Sequence, residues 1–113
     1  MTADGSAGPA PQARPVGAGE TVDELGPGMS GRWVVHTRGS THVWDMDART
    51  YARHPRTPAA AMPHDGVDHP IRSVGAWPRV GAHSYVVFDD PQHSALEHWR
   101  QSGTILSIVP AVD

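Results

Sequence analysis

Glycine and proline divide this chain into short segments and so limit how much of it can pack. The 113 residues include 12 Gly and 11 Pro, which indicates that a good part of the chain is not packed at all. No apolar run reaches the roughly 18 residues that a transmembrane helix needs. The length suits one small domain and is too short for two independent cores.

Residues 1–31 differ in composition from the rest of the chain. They contain seven Gly, four Pro, almost no large apolar side chains, and four acidic residues against one Arg. Such a segment cannot bury enough apolar surface to offset the entropy lost on ordering. We predict a disordered acidic tail over 1–31 and a single folded domain over 32–110.

The folded part is electrically balanced. Residues 32–113 carry eight Arg and eight acidic residues, so they lack the broad positive field that attracts nucleic acid or anionic membranes. We therefore expect no membrane partner and no strong nucleic-acid partner. The lack of Cys excludes disulfides and zinc fingers built on thiolates. The first residues lack the basic and apolar regions of a signal peptide, so we expect a cytoplasmic protein.

Most of the remaining segments favour strands. The runs 33–37 and 41–46 are rich in β-branched and aromatic residues and predict a hairpin around Gly39. Residues 51–53 favour a short third strand. Two further strands are expected at 71–77 and 83–89.

A proline-rich segment interrupts the strands over 52–70, where four Pro and no Leu, Ile, Phe or Trp occur. This composition predicts a surface loop, which is either functional or disordered. A last strand is expected at 104–109, before Pro110.

A helix is expected over 91–102. Asp90 is a good N-cap, Pro91 suits the first helical position, and Gly103 can end the helix. Apolar residues at helical spacing lead to Trp99, which would anchor the helix in the core. The predicted fold class is therefore α+β. It is a small antiparallel meander of four to six strands with one helix packed on a face, in the order β-β-(β)-β-β-α-β.

Histidine is over-represented, with eight in the chain. A three-residue loop over 38–40 would place His36 opposite His42, close enough to share a metal ion. A two-residue loop is expected to pair His36 with Val43 instead and to destroy this arrangement. The register therefore decides whether this pair can bind zinc.

A second cluster lies in the proline-rich loop. His64, Asp68 and His69 offer imidazole and carboxylate ligands that are acceptable to zinc. The segment shows no residues that would orient those ligands, which a tight site needs. On the predicted helix, His93 and Glu97 would share a face and His98 would point elsewhere.

One local basic cluster consists of Arg49, Arg53 and Arg56 beside Tyr51. Arginine and an aromatic ring can pair with and stack on single-stranded nucleic acid. Three arginines in a neutral domain would bind weakly and lose affinity with salt.

Tryptophan is common among the aromatic residues, with four Trp against two Tyr and one Phe. A sheet covered by one helix has one protected face, so some indoles are expected at the surface, where Trp anchors interfaces. We assign such a binding surface to Trp33, Trp44 and Trp77. The alternative is that all four indoles lie in the core.

Residues 31–45 and 47–53 resemble small uncharacterised proteins of high-GC actinobacteria and their phages. The lack of Lys and the abundance of Arg and Ala agree with such a genome. The resemblance implies a bacterial or phage cytoplasmic origin and implies no particular activity.

Three functions follow from these observations. The first is a non-enzymatic module that binds a protein partner or a second copy through its tryptophan-bearing sheet surface or edge. The second is a histidine-dependent metal-binding or hydrolytic protein, with zinc as its cofactor; the first function needs no cofactor. The third is an accessory protein that binds single-stranded nucleic acid.

Overall fold

The computed structural model describes residues 20–93 and 95–111, and over these residues the fold is one antiparallel sheet. Its seven strands are β1 Arg32–Thr37, β2 Ser40–Asp45, β3 Thr50–Pro55, β4 His69–Ala76, β5 Tyr85–Asp89, β6 Glu97–Gln101 and β7 Ile105–Pro110. They lie in the order β6-β5-β4-β3-β2-β1-β7. Within the described part of the chain, the helical content is a single 3-10 turn at Pro58–Ala60, and no helix there is long and apolar enough to cross a membrane.

The predicted α+β class is wrong, because the expected helix over 91–102 is not formed. The Asp90 carboxylate accepts the backbone N–H groups of Gln92 and His93 at 2.8 and 2.9 Å. That is helix-capping chemistry, but here it builds a turn, after which β6 pairs with β5 over five residues. A helix would have left the outer edge of β5 without backbone partners, and pairing removes that cost.

The first hairpin is confirmed, with a two-residue turn at 38–39. Trp33 lies opposite Trp44 and Val35 lies opposite His42. Burial alternates along both strands, so every second side chain faces the core. The structure also contains the expected third strand, extended to Pro55, so the proline-rich connection is shortened to 56–68.

The second part of the predicted tail is folded. Residues 1–19 lie outside the described residues, but Val22 bridges to Ile108 and Leu25 is only 2% exposed. The backbone N–H of Leu25 donates to the carbonyl of Pro78 at 2.9 Å. The glycine-rich composition of this segment obscured two apolar side chains, Val22 and Leu25, that pack in or against the core of the sheet.

The strand ladder is weakest between β3 and β4, which we call the seam. Only Thr50 and Tyr51 of β3 pair with β4, opposite Pro70 and His69. Aromatic side chains connect the two parts of the sheet instead. Tyr51 lies 5.9 Å from Phe88, and Trp44 lies 5.7 Å from Trp77, between ring centroids.

Leu25 provides a test of the folded segment before β1. We expect Leu25→Ala to lower the free energy of unfolding by about 2–4 kcal/mol, because it leaves a cavity in a closed core. The matched change Leu96→Ala removes a side chain that is 54% exposed and should cost at most about 0.5 kcal/mol. Urea denaturation measures both, and equal costs would place Leu25 outside the core.

Candidate metal centre

The first predicted metal pair is not assembled. His36 lies opposite Thr41, and His42 lies opposite Val35, a register that differs from both alternatives considered for this hairpin. Successive side chains of a strand point to opposite faces, so His36 and His42 lie on different sides of the sheet. His36 instead accepts a hydrogen bond from Arg56 at 3.2 Å. Burial and the Arg56 charge lower the pKa of His36.

His42 is part of a buried polar chain. Its Nε2 lies 2.8 Å from the Ser40 hydroxyl, and its Nδ1 lies 2.7 Å from the Tyr51 hydroxyl. Burial, followed by the nearby Arg53 charge, lowers the pKa of His42 from 6.5 to about 4, and burial raises the pKa of Tyr51. Both ring nitrogens are occupied by protein groups, so His42 is a neutral structural residue rather than a ligand.

The connection over 56–68, the pinned loop, is held against the sheet by buried polar groups. Arg53 donates to the Asp65 carboxylate at 2.5 Å and to the carbonyl of Ala60 at 3.0 Å. Both partners of this ion pair are close to nine-tenths buried. Removal of one partner from a buried pair is strongly destabilising, because it leaves the other charge uncompensated. Arg100 on β6 donates to the carbonyl of Pro63. The loop is therefore an ordered part of the domain.

His64 is fixed at the end of this loop. Its carbonyl accepts a hydrogen bond from Nε2 of His69 at 2.8 Å. Its backbone has a φ of 71°, a left-handed conformation that few non-glycine residues adopt and that tends to occur at functional sites. The 56–68 loop thereby brings the imidazole over β6, with its ring centroid 4.4 Å from that of His98.

Three possible ligands converge at this point. His64, Asp90 and His98 each present one nitrogen or oxygen atom, and these atoms lie within 4.8 Å of one another. Nε2 of His98 donates to Oδ2 of Asp90 at 2.7 Å. All three residues are partly buried. This set of three residues is called the His64 triad below.

The turn after β5 orients the carboxylate of the triad. Oδ1 of Asp90 accepts two backbone N–H groups, which leaves Oδ2 facing the imidazoles. The hydrogen bond from His98, followed by those from the backbone of Gln92 and His93, lowers the pKa of Asp90 to about 2. The group is therefore ionised at neutral pH, as a metal ligand must be.

Two nitrogens and one carboxylate oxygen suit zinc and other first-row transition metals. A tetrahedral ion would keep its fourth position open to water or a substrate, which distinguishes a reactive or exchangeable site from a closed structural one. The pinned backbone of His64 and the turn at Asp90 supply the outer support that such ligands require.

Of the second predicted cluster, the structure retains only His64. Asp68 is exposed, and the His69 ring is 2% exposed and packs on Phe88 at 4.6 Å. Nε2 of His69 is engaged with the loop backbone, and its buried Nδ1 has no partner among the described residues. His69 thus positions His64 and is not itself a ligand of the triad.

The tryptophans are not distributed as predicted. Trp33 and Trp44 are 3% and 0% exposed, and Trp77 is partly buried against the core. None of these three indoles projects freely from the sheet. Trp99, expected in the core, is 59% exposed and stacks on Tyr85 with a centroid distance of 5.6 Å. Trp99 is exposed because residues 97–101 form a strand, in which its side chain points to the outer face, and not the predicted helix.

The predicted basic cluster is dispersed. Tyr51 is 2% exposed, Arg53 is paired with Asp65, and Arg56 donates to the carbonyl of Thr37 at 3.1 Å. Arg49 lies at the turn between β2 and β3, with a φ of 61°. An aromatic ring and guanidinium groups suited to nucleic acid are therefore not presented together.

Asp90 and His98 were missed as site residues, because each was assigned to a helix. The useful signal is the hairpin register, in which Phe88 lies opposite His98. That register carries His98 back to Asp90 across the turn. Comparison of the sequence with protein-family models, curated proteins and solved structures finds no match.

His42 makes folding stability depend on pH. Its folded-state pKa is about 4 against 6.5 for the ordinary group, so between these values the unfolded chain holds more protons. The contribution is complete above about pH 6.5 and is lost as the pH falls towards 4, by roughly 3 kcal/mol in all. Urea denaturation at several pH values measures this slope.

The control for this slope is an exposed histidine. His42→Gln should flatten the decrease in stability towards acid pH, whereas His93→Gln, at an exposed position in the β5–β6 turn, should leave it unchanged. Equal slopes in the wild type and in His42→Gln would contradict a neutral buried His42.

Proposed function

We propose that this protein binds a divalent transition metal of the zinc class at the His64 triad. The observation that carries the proposal is the convergence of two imidazoles and one carboxylate within 4.8 Å. These residues come from the pinned loop, the β5–β6 turn and strand β6. A single ion would therefore link three separate parts of the chain.

The surroundings support metal binding rather than a simple histidine–aspartate contact. A hydrogen bond between Asp90 and His98 would need only these two residues. It would not explain why His64 is held beside them in a strained backbone conformation. The carbonyls of Pro63 and His64 are both held by donors from the sheet. Because these two hydrogen bonds fix the backbone on both sides of the His64 side chain, the imidazole would lose little conformational entropy when it binds a metal ion.

With three ligands from the protein, a bound zinc ion would have a coordination position left for water or a substrate, and the chemistry it would supply is that of a Lewis acid. A bound zinc ion lowers the pKa of a coordinated water to about 7 and can polarise a carbonyl or phosphoryl oxygen. This chain contributes orientation of the ligands and partial exclusion of solvent. The substrate would enter beside β6, where the triad is partly exposed.

The test is a titration of the full chain with Zn²⁺ and with Co²⁺, after treatment with a chelator. We expect one ion per chain by calorimetry, visible absorption of four-coordinate Co²⁺, and a higher melting temperature on binding. His64→Ala and His98→Ala should each weaken affinity by more than about a hundredfold, because the loss of a residue that merely supports a ligand already costs about tenfold to a hundredfold.

His54→Ala is the matched control, because His54 is exposed and lies outside the triad. It should bind Zn²⁺ like the wild type. Retention of full affinity by His64→Ala and His98→Ala together would refute the proposed site and would assign any binding to other histidines.

A second candidate function is protein association through the edge strand β6. Trp99 and Leu96 are 59% and 54% exposed at this edge. The ring of Tyr85, on the adjacent strand β5, stacks against the Trp99 indole. An unpaired strand edge with an exposed aromatic anchor suits a second copy of the chain or an extended partner segment.

Sedimentation velocity over a range of concentrations tests this association. We expect Trp99→Ser to reduce dimer formation at least tenfold without a change in melting temperature, since the side chain is mostly exposed. Leu106→Ser removes an equally exposed side chain, 60% accessible, from the opposite edge strand and should have no effect. A wild type that stays monomeric throughout would rule out self-association.

A further inference from the structure

A small cleft lies at the seam, on the side away from the pinned loop. It forms where β4 leaves β3 after only two residue pairs. The volume is about 150 Å³. Ile71, Val74 and Trp77 contribute its apolar lining, and the turn between β2 and β3 contributes Arg49.

The backbone holds Arg49 at this cleft. The carbonyl of Arg49 accepts a hydrogen bond from the N–H of Ile71 at 2.9 Å, which joins the turn to β4. Arg49 has a φ of 61°, a conformation that costs a non-glycine residue free energy and needs such support. The position is therefore fixed relative to the apolar lining.

Among the residues that the structure describes, the charges around the cleft leave Arg49 as a positive group without a counterion. Oδ1 of Asp45 accepts the N–H groups of Asp47 and Ala48 at 3.0 and 2.8 Å, and Oδ2 lies 3.6 Å from Arg32. Arg72 is paired with Asp89 on the neighbouring strand. Arg49 has no side-chain hydrogen bond or ion pair with any residue that the structure describes.

We propose that this cleft binds a small planar aromatic carboxylate. The ring would pack against Trp77 and the neighbouring aliphatic side chains, and the carboxylate would pair with Arg49. A cleft of about 150 Å³ with apolar side chains on part of its wall has room for one six-membered ring, so the size favours a single ring. Arginine binds carboxylate through two parallel hydrogen bonds, which fixes the orientation of the ligand.

The cleft is independent of the metal centre, because none of its lining residues belongs to the His64 triad. A ligand here can therefore bind to the metal-free protein. Failure of metal binding and failure of this proposal are measured separately when all titrations contain a chelator.

Benzoate is the probe, and benzamide is its uncharged counterpart of the same shape. We expect benzoate to bind the full chain with a dissociation constant on the order of 1 mM, as suits a ligand of so few atoms. Amide chemical shifts should change at Ile71 and Val74 during the titration. Benzamide should bind at least tenfold more weakly, because it lacks the charge that pairs with Arg49.

Arg49→Asn is the main variant, since asparagine tolerates the left-handed conformation and removes the charge. It should weaken benzoate binding at least tenfold and bring benzoate and benzamide to similar affinities. Arg49→Lys keeps the charge but cannot form the two parallel hydrogen bonds, so it should bind benzoate more weakly than the wild type and more tightly than Arg49→Asn, which would show that the loss in Arg49→Asn reflects charge rather than folding. Arg38→Asn changes an exposed arginine in the β1–β2 turn and should bind like the wild type.

The proposal would be overturned if amide shifts at the cleft did not change with benzoate well above its expected dissociation constant. Equal binding of benzoate and benzamide, or unchanged benzoate affinity in a folded Arg49→Asn, would also overturn it. An equal loss of affinity in Arg38→Asn would show nonspecific attraction between charges and would overturn it as well.

Discussion

The short ladder between β3 and β4 is the constraint on which the other features depend. Two paired residues are too few to hold a seven-stranded sheet together at this point, so side-chain packing must do so. Tyr51 is the central residue, because its ring contacts Phe88 across the seam and Trp44 on the neighbouring strand β2, and its hydroxyl is hydrogen-bonded to His42. Buried aromatic rings supply large apolar area with little rotamer entropy to lose, which suits this position.

Both candidate sites follow from the strands separating at the seam. On one side, the free edge of β3 is covered by the pinned loop, where the N–H of Gly66 donates to the carbonyl of Arg53 at 2.7 Å. That cover carries His64 to the β5–β6 hairpin. On the other side, β4 continues past the turn at Arg49, to which Ile71 is hydrogen-bonded, and the cleft lies beside this junction. A continuous β3–β4 ladder would leave room for neither.

The pinned loop is held tightly but at a cost. Oδ1 of Asp65 and Nδ1 of His69 are buried and have no hydrogen-bond partner among the described residues. Each such group costs about 1–3 kcal/mol, and the left-handed backbone of His64 adds strain. The Arg53–Asp65 ion pair and the Arg100 contact offset this cost. Loop stability and ligand placement are therefore coupled through residues that would not touch a metal ion.

Strands and their alternation could be predicted from the sequence, whereas the sites could not. Runs such as 33–37 and 85–89 carry β-type residues whose local preferences agree with the fold. Asp90 was misleading, because a carboxylate that accepts two backbone N–H groups can either start a helix or close a turn. Only the unpaired backbone groups at the edge of β5, which require a neighbouring strand, decide between the two. The triad joins His64 to residues 26 and 34 positions later, a proximity set by tertiary pairing that no local pattern contains.

The even charge balance of the domain has a structural basis in the ion pairs that its charged side chains form with one another. Arg53, Arg72 and His98 are matched with carboxylates inside the fold, so these groups contribute little field beyond their own contacts. A domain with so many paired charges lacks the long-range attraction that a surface of unpaired cations provides, so the two proposed ligands would be held by a few placed groups. A single ion at the His64 triad or a single carboxylate at Arg49 requires only the local geometry that the seam creates.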